Sequence, residues 1–276
     1  MAFQIAKARS VLSIQKQLVQ QNQLLETVRK ESASQIIRIR DDLQAAAELQ
    51  RGLLPPPISS GPIRLVSFFQ PSDEIGGDVL GTQQLDDGSL LFFNVDVAGH
   101  GVPAALEAFA LHSRLAFPPP ETPSRLQFVA GRLNAELLSR DGRCATMVLG
   151  ILASDGSSVV MLRAGHPHPL LVPRDGSPRF VHEGGLPLGV MPNAFQPLVN
   201  VPLAPGDRLV VYSDGVTDGN GDQGGLGNDG LKAFWSTMKN EPVDAAISIM
   251  EEKLRHANRG RPPTDDISVL VIERAL

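Results

Sequence analysis

"DDGSLLFFNVDVAGHGVPAAL", residues 86 to 106, runs from a turn signal through an apolar segment to an aspartate, a glycine-flanked histidine and the start of a helical pattern. Asp-Asp-Gly favours a tight turn, because aspartate hydrogen-bonds the backbone ahead of it and glycine accepts positive φ. From Ser89 to Asp96 the chain is rich in Leu, Phe and Val with no polar alternation, so it reads as a strand buried on both faces. Asp96 then ends that strand, at the rim of a sheet rather than inside it. Helical spacing follows at about residues 102 to 117.

The same pattern recurs along the chain. "IRLVSFF" (63 to 69), "ATMVLGILA" (145 to 153), "SSVVMLRAG" (157 to 165), "HPLLVP" (168 to 173), "DRLVVYSD" (207 to 214) and "DISVLVIE" (266 to 273) are short apolar runs bounded by turn signals. Several links between them are too short for a parallel crossover and suit antiparallel hairpins. Helical patterns occur at 123 to 139 and 242 to 257, with a shorter one near 229 to 238. The spacing predicts an α+β fold of two mainly antiparallel sheets covered by helices.

The first 50 residues differ in kind. Glycine and proline are absent as far as Arg51, and Val11, Ile14, Leu18, Leu25, Val28 and Ile39 recur at three-four spacing, interrupted by Gln21, Ser32 and Gln35. That is a long helix with a broken heptad, suited to a weak two-stranded coiled coil or to docking. After Ile36 the seam is better continued by Ile39, Leu43, Ala46 and Leu53, a change of phase like a stutter. The alternative is a solvated spacer helix, which has little to stabilise it in water. "LLPPPISSGP" (53 to 62) ends the helix. The expected division is a helical linker at 1–50, for coiled-coil dimerisation or regulation, and a single domain at 51–276.

Composition narrows the function. The chain has 276 residues, 42% of them hydrophobic, enough for one sizeable core. A formal charge of -5 with no basic run gives no reason to expect nucleic acid or an anionic membrane surface as a partner. The single Cys144 cannot build a disulfide framework and suits a reducing compartment. With no long apolar stretch and no signal-like N-terminus, the reading is a cytoplasmic protein.

Four acidic stations lie at strand ends or beside glycine: Asp78 in "EIGGDVLG", Asp96, Asp214 in "VYSDGVTDG", and Asp265 with Asp266 in "PTDDISVLVIE". Convergent carboxylates at a sheet rim are what Mg²⁺ or Mn²⁺ require, since hard cations take oxygen ligands. Taken singly each acid is more simply a turn residue, the role assigned to Asp87, Asp155 and Asp175. His100, His166 and His168 lack the spacing of a zinc protease, no G-x-S-x-G elbow is present, and the glycines of 219 to 230 lack the lysine of a phosphate-binding loop.

In order, "LQRGLLPP", "PSDEIGGDVLG", "DVAGHGVPAAL", "RAGHPHPLL", "GGLPLGV", "LAPGDRLVVYSDGVTD" and "TDDISVLVIE" resemble the metal-dependent serine/threonine protein phosphatases (the PPM superfamily), in the bacterial SpoIIE- and RsbU-type branch, over about residues 46 to 276. The resemblance implies an α/β/β/α sandwich and hydrolysis of phosphoserine or phosphothreonine by a water activated on two Mn²⁺ or Mg²⁺ ions. It implies that Asp96 bridges both ions, that the Val97 carbonyl adds a ligand, that Asp78 serves the first ion and that Asp214 and Asp265 hold the other, with Asp266 second to Asp265. The expected substrate is a phosphorylated STAS-domain anti-sigma-factor antagonist. The expected partners are a second copy through the N-terminal helix and an upstream sensor or activator. The motif "GGDVLG" departs from the branch, with Val79, Leu80 and Gly81 where aromatic and acidic residues are usual. That departure keeps in view a non-catalytic pseudophosphatase that binds a phosphoprotein or partner; a hydrolase of small phosphoesters or nucleotides using the same ions is a third reading, against which the chain offers only one Trp and one Tyr for a base.

Overall fold

Strands that are apolar on both faces must be covered on both, and here two sheets stack on each other and carry helices outside. The computed structural model describes residues 1–140, 142–218 and 225–276, with the side chains of these except 2–14. The chain falls into two units, residues 1–48 and 49–276.

In the second unit, one sheet has the order β1 (Ile63–Gln70), β10 (Ile267–Arg274), β9 (Arg208–Tyr212), β6 (Leu170–Val172), β7 (Arg179–Phe180). The other has the order β2 (Asp78–Gln84), β3 (Leu90–Val97), β4 (Ala145–Leu152), β5 (Ser158–Ala164), β8 (Leu198–Pro202). Every pairing between these strands is antiparallel, as the short links require. The α/β/β/α sandwich is completed by α2 (Val102–Ala116) and α3 (Pro123–Leu138) on the second sheet and α4 (Gly227–Met238) and α5 (Val243–Ala257) on the first.

Alternation along each strand sorts its side chains between two layers. On β3, Leu90 and Phe92 pack between the sheets against Leu65, Leu209, Val211 and Leu270, while Leu91, Phe93 and Val95 pack under α2 and α3. On β9 and β10, Val210, Tyr212, Val269 and Val271 pack instead on Trp235 and Met250 of α4 and α5. Phase is what carries the rim acids: Asp78 and Asp96 share the inter-sheet face with Leu80 and Phe92.

Three strands escape a reading from sequence, one of them the two-residue β7. β2 contains Gly81 and ends in Thr82, Gln83 and Gln84, and β8 is a five-residue strand ending in proline, so neither carries the apolar signature. Of the glycine-rich patch at 218 to 230, residues 219–224 lie outside the described residues, and its end forms the start of α4.

In the first unit the chain is helical, part of α1 (Ala2–Gly52). Leu18, Leu25, Val28 and Ile39 of the expected seam are exposed there, as are Val19, Leu24, Ile36 and Ile37. The seam positions Val11 and Ile14 lie outside the described side chains. No helix among the described residues is long and apolar enough to cross a membrane.

Candidate metal centre

Sheet register brings the acids together. Asp78 opens β2 and stands directly opposite Asp96 near the end of β3. Asp214 begins a short 3₁₀ turn two residues after β9, and Asp265 and Asp266 immediately precede β10. Because β9 and β10 run antiparallel, with the Ser213 amide donating to the Ser268 carbonyl at 2.9 Å, all of these meet at one rim of the sandwich.

The electrostatics show how closely they are gathered. Asp96 has its carboxyl raised to about 7, first by burial and then by Asp214, Asp265 and Asp266. Asp78, fully enclosed, is pushed well above the carboxylate range by burial and then by Asp96 and Asp266, with the hydroxyls of Ser213 and Ser268 opposing the rise. Asp214 is raised by burial, then by Asp265 and Asp218. Asp96 thus stands within the field of every other rim acid, which is where positive charge would be held most strongly.

The two adjacent aspartates divide their labour. Asp266 is buried and both its oxygens are taken: Oδ1 accepts from the Ser72 amide (2.7 Å) and hydroxyl (2.9 Å), and Oδ2 from the Gly77 amide (2.5 Å) and, at 3.4 Å, the Asp78 amide. It ties the turn before β2 to the other sheet. Asp265 is exposed beside it, one oxygen accepting from the Asp266 amide at 2.8 Å.

The turn at residues 76 and 77 fits this clamp only with glycine. A Cβ on Gly76 would strike the Asp266 carboxylate, and one on Gly77 would come within 2.9 Å of the Val97 carbonyl and 3.2 Å of Ala104. Glycine therefore lets the turn pass close against the Val97 carbonyl. Below the rim lies a polar layer that the sequence reading missed. Ser268 donates to Asn94 Oδ1 (3.1 Å) across the sheets, its amide donates to Ser213 Oγ (2.9 Å), and that hydroxyl donates to the Asp266 carbonyl (3.0 Å). Thr146, opposite Asp96 on β4, shares a 2.7 Å hydrogen bond with Nδ1 of buried His166, whose pKa is lowered to about 3 by burial and then by Arg163. That imidazole is neutral and structural. His100 is exposed, apart from this layer. Asp87 and Asp155 sit in turns as expected, each accepting the amide two residues on at 2.9 Å.

Among the described residues, no three or more His, Cys, Asp or Glu side chains are arranged to hold a metal ion as they stand. The donor set nevertheless fits hard cations. It is all oxygen, and the Asp78 Oδ2 atom is buried with no hydrogen-bond partner. Like charges this close repel until positive charge stands between them.

The departures in "GGDVLG" also have a physical account. The ring of Phe93 lies over Gly81 from the neighbouring strand, so a side chain at position 81 would overlap it. The Phe93 ring thus fills the space that a side chain at position 81 would need.

Residues 86–275 match the family described as Stage II sporulation protein E (SpoIIE). The phosphoserine phosphatase RsbP of Bacillus subtilis (strain 168) is 23% identical over 247 residues, which cover 86% of this chain and 59% of RsbP. In structure, the SiaA-PP2C domain of Pseudomonas aeruginosa superposes with a TM-score of 0.73 at 21% identity, covering 87% of this chain and 98% of that domain. The catalytic domain of the serine threonine protein phosphatase PstP, in complex with 2 manganese ions, gives a TM-score of 0.57 at 16% identity, covering 78% of this chain and 99% of that domain. The chain spans little more than half of the curated relative's length, and within that span it belongs to the SpoIIE family, in the SpoIIE/RsbU branch of the metal-dependent PPM phosphatases.

Proposed function

We propose that the chain is a metal-dependent phosphoserine/phosphothreonine protein phosphatase. The observation that carries the reading is the gathering of Asp78, Asp214, Asp265 and Asp266, from two sheets, around Asp96 at one rim. Asp96 would serve two Mn²⁺ or Mg²⁺ ions at once, with Asp78 and the Val97 carbonyl holding one and Asp214 and Asp265 the other. When bound, the ions would supply charge to neutralise a phosphoryl group and to acidify water. The chain's own residues orient and hold: Asp266 fixes the turn that aims Asp78, and the neutral Thr146–His166 pair supports the strand beneath Asp96. Four carboxylates beside the same centre also keep an anionic substrate from binding productively without cations.

The substrate class follows from the branch. RsbP is a phosphoserine phosphatase by name, and a phosphorylated STAS-domain anti-sigma-factor antagonist in a partner-switching pathway is the substrate we assign. The exposed Leu18, Leu25, Val28 and Ile39 support a homodimer through the N-terminal helix, and the seam shift after Ile36 offers a route for a sensor or activator to act on helix pairing. Light scattering at tens of micromolar should report a dimer; a monomer counts against this part. Cytoplasmic location belongs to the same reading.

A non-catalytic binding module is the second reading, favoured by the absence of an acid at Gly81 and the Phe93 ring in its place. Phosphate release from para-nitrophenyl phosphate and from a phosphoserine STAS protein, with and without Mn²⁺, separates the two. Turnover that needs Mn²⁺ and is lost in Asp96→Asn supports the phosphatase. Equal, negligible release by both folded proteins in excess Mn²⁺ supports the binding module.

A further inference from the structure

Gln50 lies in the last turns of α1 and in sequence is one more polar residue of a polar helix. In the structure it is 3% exposed and its amide is spent on the turn before β2. Oε1 accepts from the Gly76 amide at 3.1 Å, and Nε2 donates to the Gly76 carbonyl at 2.8 Å and the Asp78 carbonyl at 3.3 Å. A side-chain amide that takes both the N–H and the C=O of one residue pairs with it as a neighbouring strand would.

The turn has reason to need it. Two consecutive glycines are demanded by the close approach of Asp266 and of the Val97 carbonyl, and glycine is the residue that loses most conformational freedom on ordering. Asp266 holds the turn by the Gly77 and Asp78 amides. Gln50 holds the groups that Asp266 leaves free, the Gly76 amide and the Gly76 and Asp78 carbonyls. Each clamp alone fixes one side of the peptide ribbon.

We propose that Gln50 is a positioning residue for the metal centre, acting through the Gly76–Gly77–Asp78 turn to aim the Asp78 carboxylate at a bound Mn²⁺ or Mg²⁺ ion. The inference rests on the two-ion reading above. Gln50 touches neither substrate nor ion, and its effect belongs in metal affinity rather than in the chemical step. Losing an orienting partner of a metal ligand costs roughly 10- to 100-fold in affinity.

The test uses the full chain and Mn²⁺ alone. Gln50→Met keeps length and bulk while removing every hydrogen bond; Gln50→Glu keeps the acceptor for Gly76 and removes both donors, and serves if the first variant does not fold. Calorimetric Mn²⁺ titrations are run well below each protein's melting midpoint, with the midpoint recorded separately. A folded variant should bind Mn²⁺ at least about tenfold more weakly than wild type and need correspondingly more Mn²⁺ for half-maximal turnover, with kcat at saturating Mn²⁺ largely kept. A folded variant that binds Mn²⁺ within about twofold of wild type, with only its melting point lowered, overturns the proposal and assigns Gln50 to stability alone. Wild type that binds no Mn²⁺ sinks the two-ion reading itself, whereas wild type that binds it without turnover sinks only the phosphatase activity.

Discussion

The hairpin of β2 and β3 has aspartates at both of its ends, and the two ends treat them oppositely. At the turn, Asp87 is exposed, and its Oδ1 accepts from the Ser89 amide at 2.9 Å and hydroxyl at 2.5 Å. Its carboxyl is lowered chiefly by those bonds. At the rim, buried Asp78 and half-buried Asp96 face each other across the same two strands; Asp78 is raised by burial and then by Asp96 and Asp266, and Asp96 by burial and then by Asp214, Asp265 and Asp266. A carboxylate supplied with N–H and O–H donors is part of a turn. One buried among other carboxylates, with an oxygen left unpartnered, raises the free energy of the fold and calls for a cation.

The sharpest way to break this contrast is to neutralise the rim. Asp96→Asn should reduce Mn²⁺-dependent phosphate release to the level of metal-free protein. The same change should stabilise the metal-free fold at alkaline pH. A carboxyl raised from 3.8 to about 7 on folding contributes stability that is fully present below 3.8 and lost as pH rises through about 7. Above pH 7 the wild type therefore carries a penalty of about 4 kcal/mol at most that Asn does not, shared among interacting acids. Thermal unfolding in chelator at pH 8 and pH 5 checks it: the variant's advantage should appear at pH 8 and shrink at pH 5.

A comparable effect of opposite sign is expected from Asp266→Ala, which strips partners from the Ser72 and Gly77 amides. Each buried donor left unpaired costs about 1–3 kcal/mol, so denaturant unfolding should show about 2–4 kcal/mol lost. Mn²⁺ should then stabilise wild type more at pH 8 than at pH 6, because protons compete for the rim acids as pH falls. The smallest effect belongs to the other end of the hairpin. Asp87→Ala should leave turnover and Mn²⁺ dependence unchanged and lower the melting point least of the set; a loss of metal dependence there would erase the distinction between the two ends.

Much of the sandwich is legible in the sequence because its strands are apolar on both faces and its links are short. β2 is not, since Gly81 and the polar Thr82, Gln83 and Gln84 match neither period. The acids stand out by their strand-end placement, yet spacing cannot say which of Asp265 and Asp266 faces the rim acids and which clamps a turn. That depends on Asp266 meeting Gly77, 189 residues away, which only sheet register decides. Gln50 is hidden for the same reason: its partners, Gly76 and Asp78, lie in another element. The layer of Asn94, Ser213 and Ser268 reads in sequence as isolated polar residues in apolar strands and becomes a network only when the sheets stack.

The most direct measurement is a calorimetric Mn²⁺ titration of wild type and Asp96→Asn near pH 7, repeated in buffers of different ionisation enthalpy to count protons released. With Asp96 raised to about 7 and Asp78 also raised, the account predicts two Mn²⁺ ions bound by wild type with net proton release, and loss of both features in the variant. Binding of the same stoichiometry and proton count in the two folded proteins, or no binding in either, would contradict it.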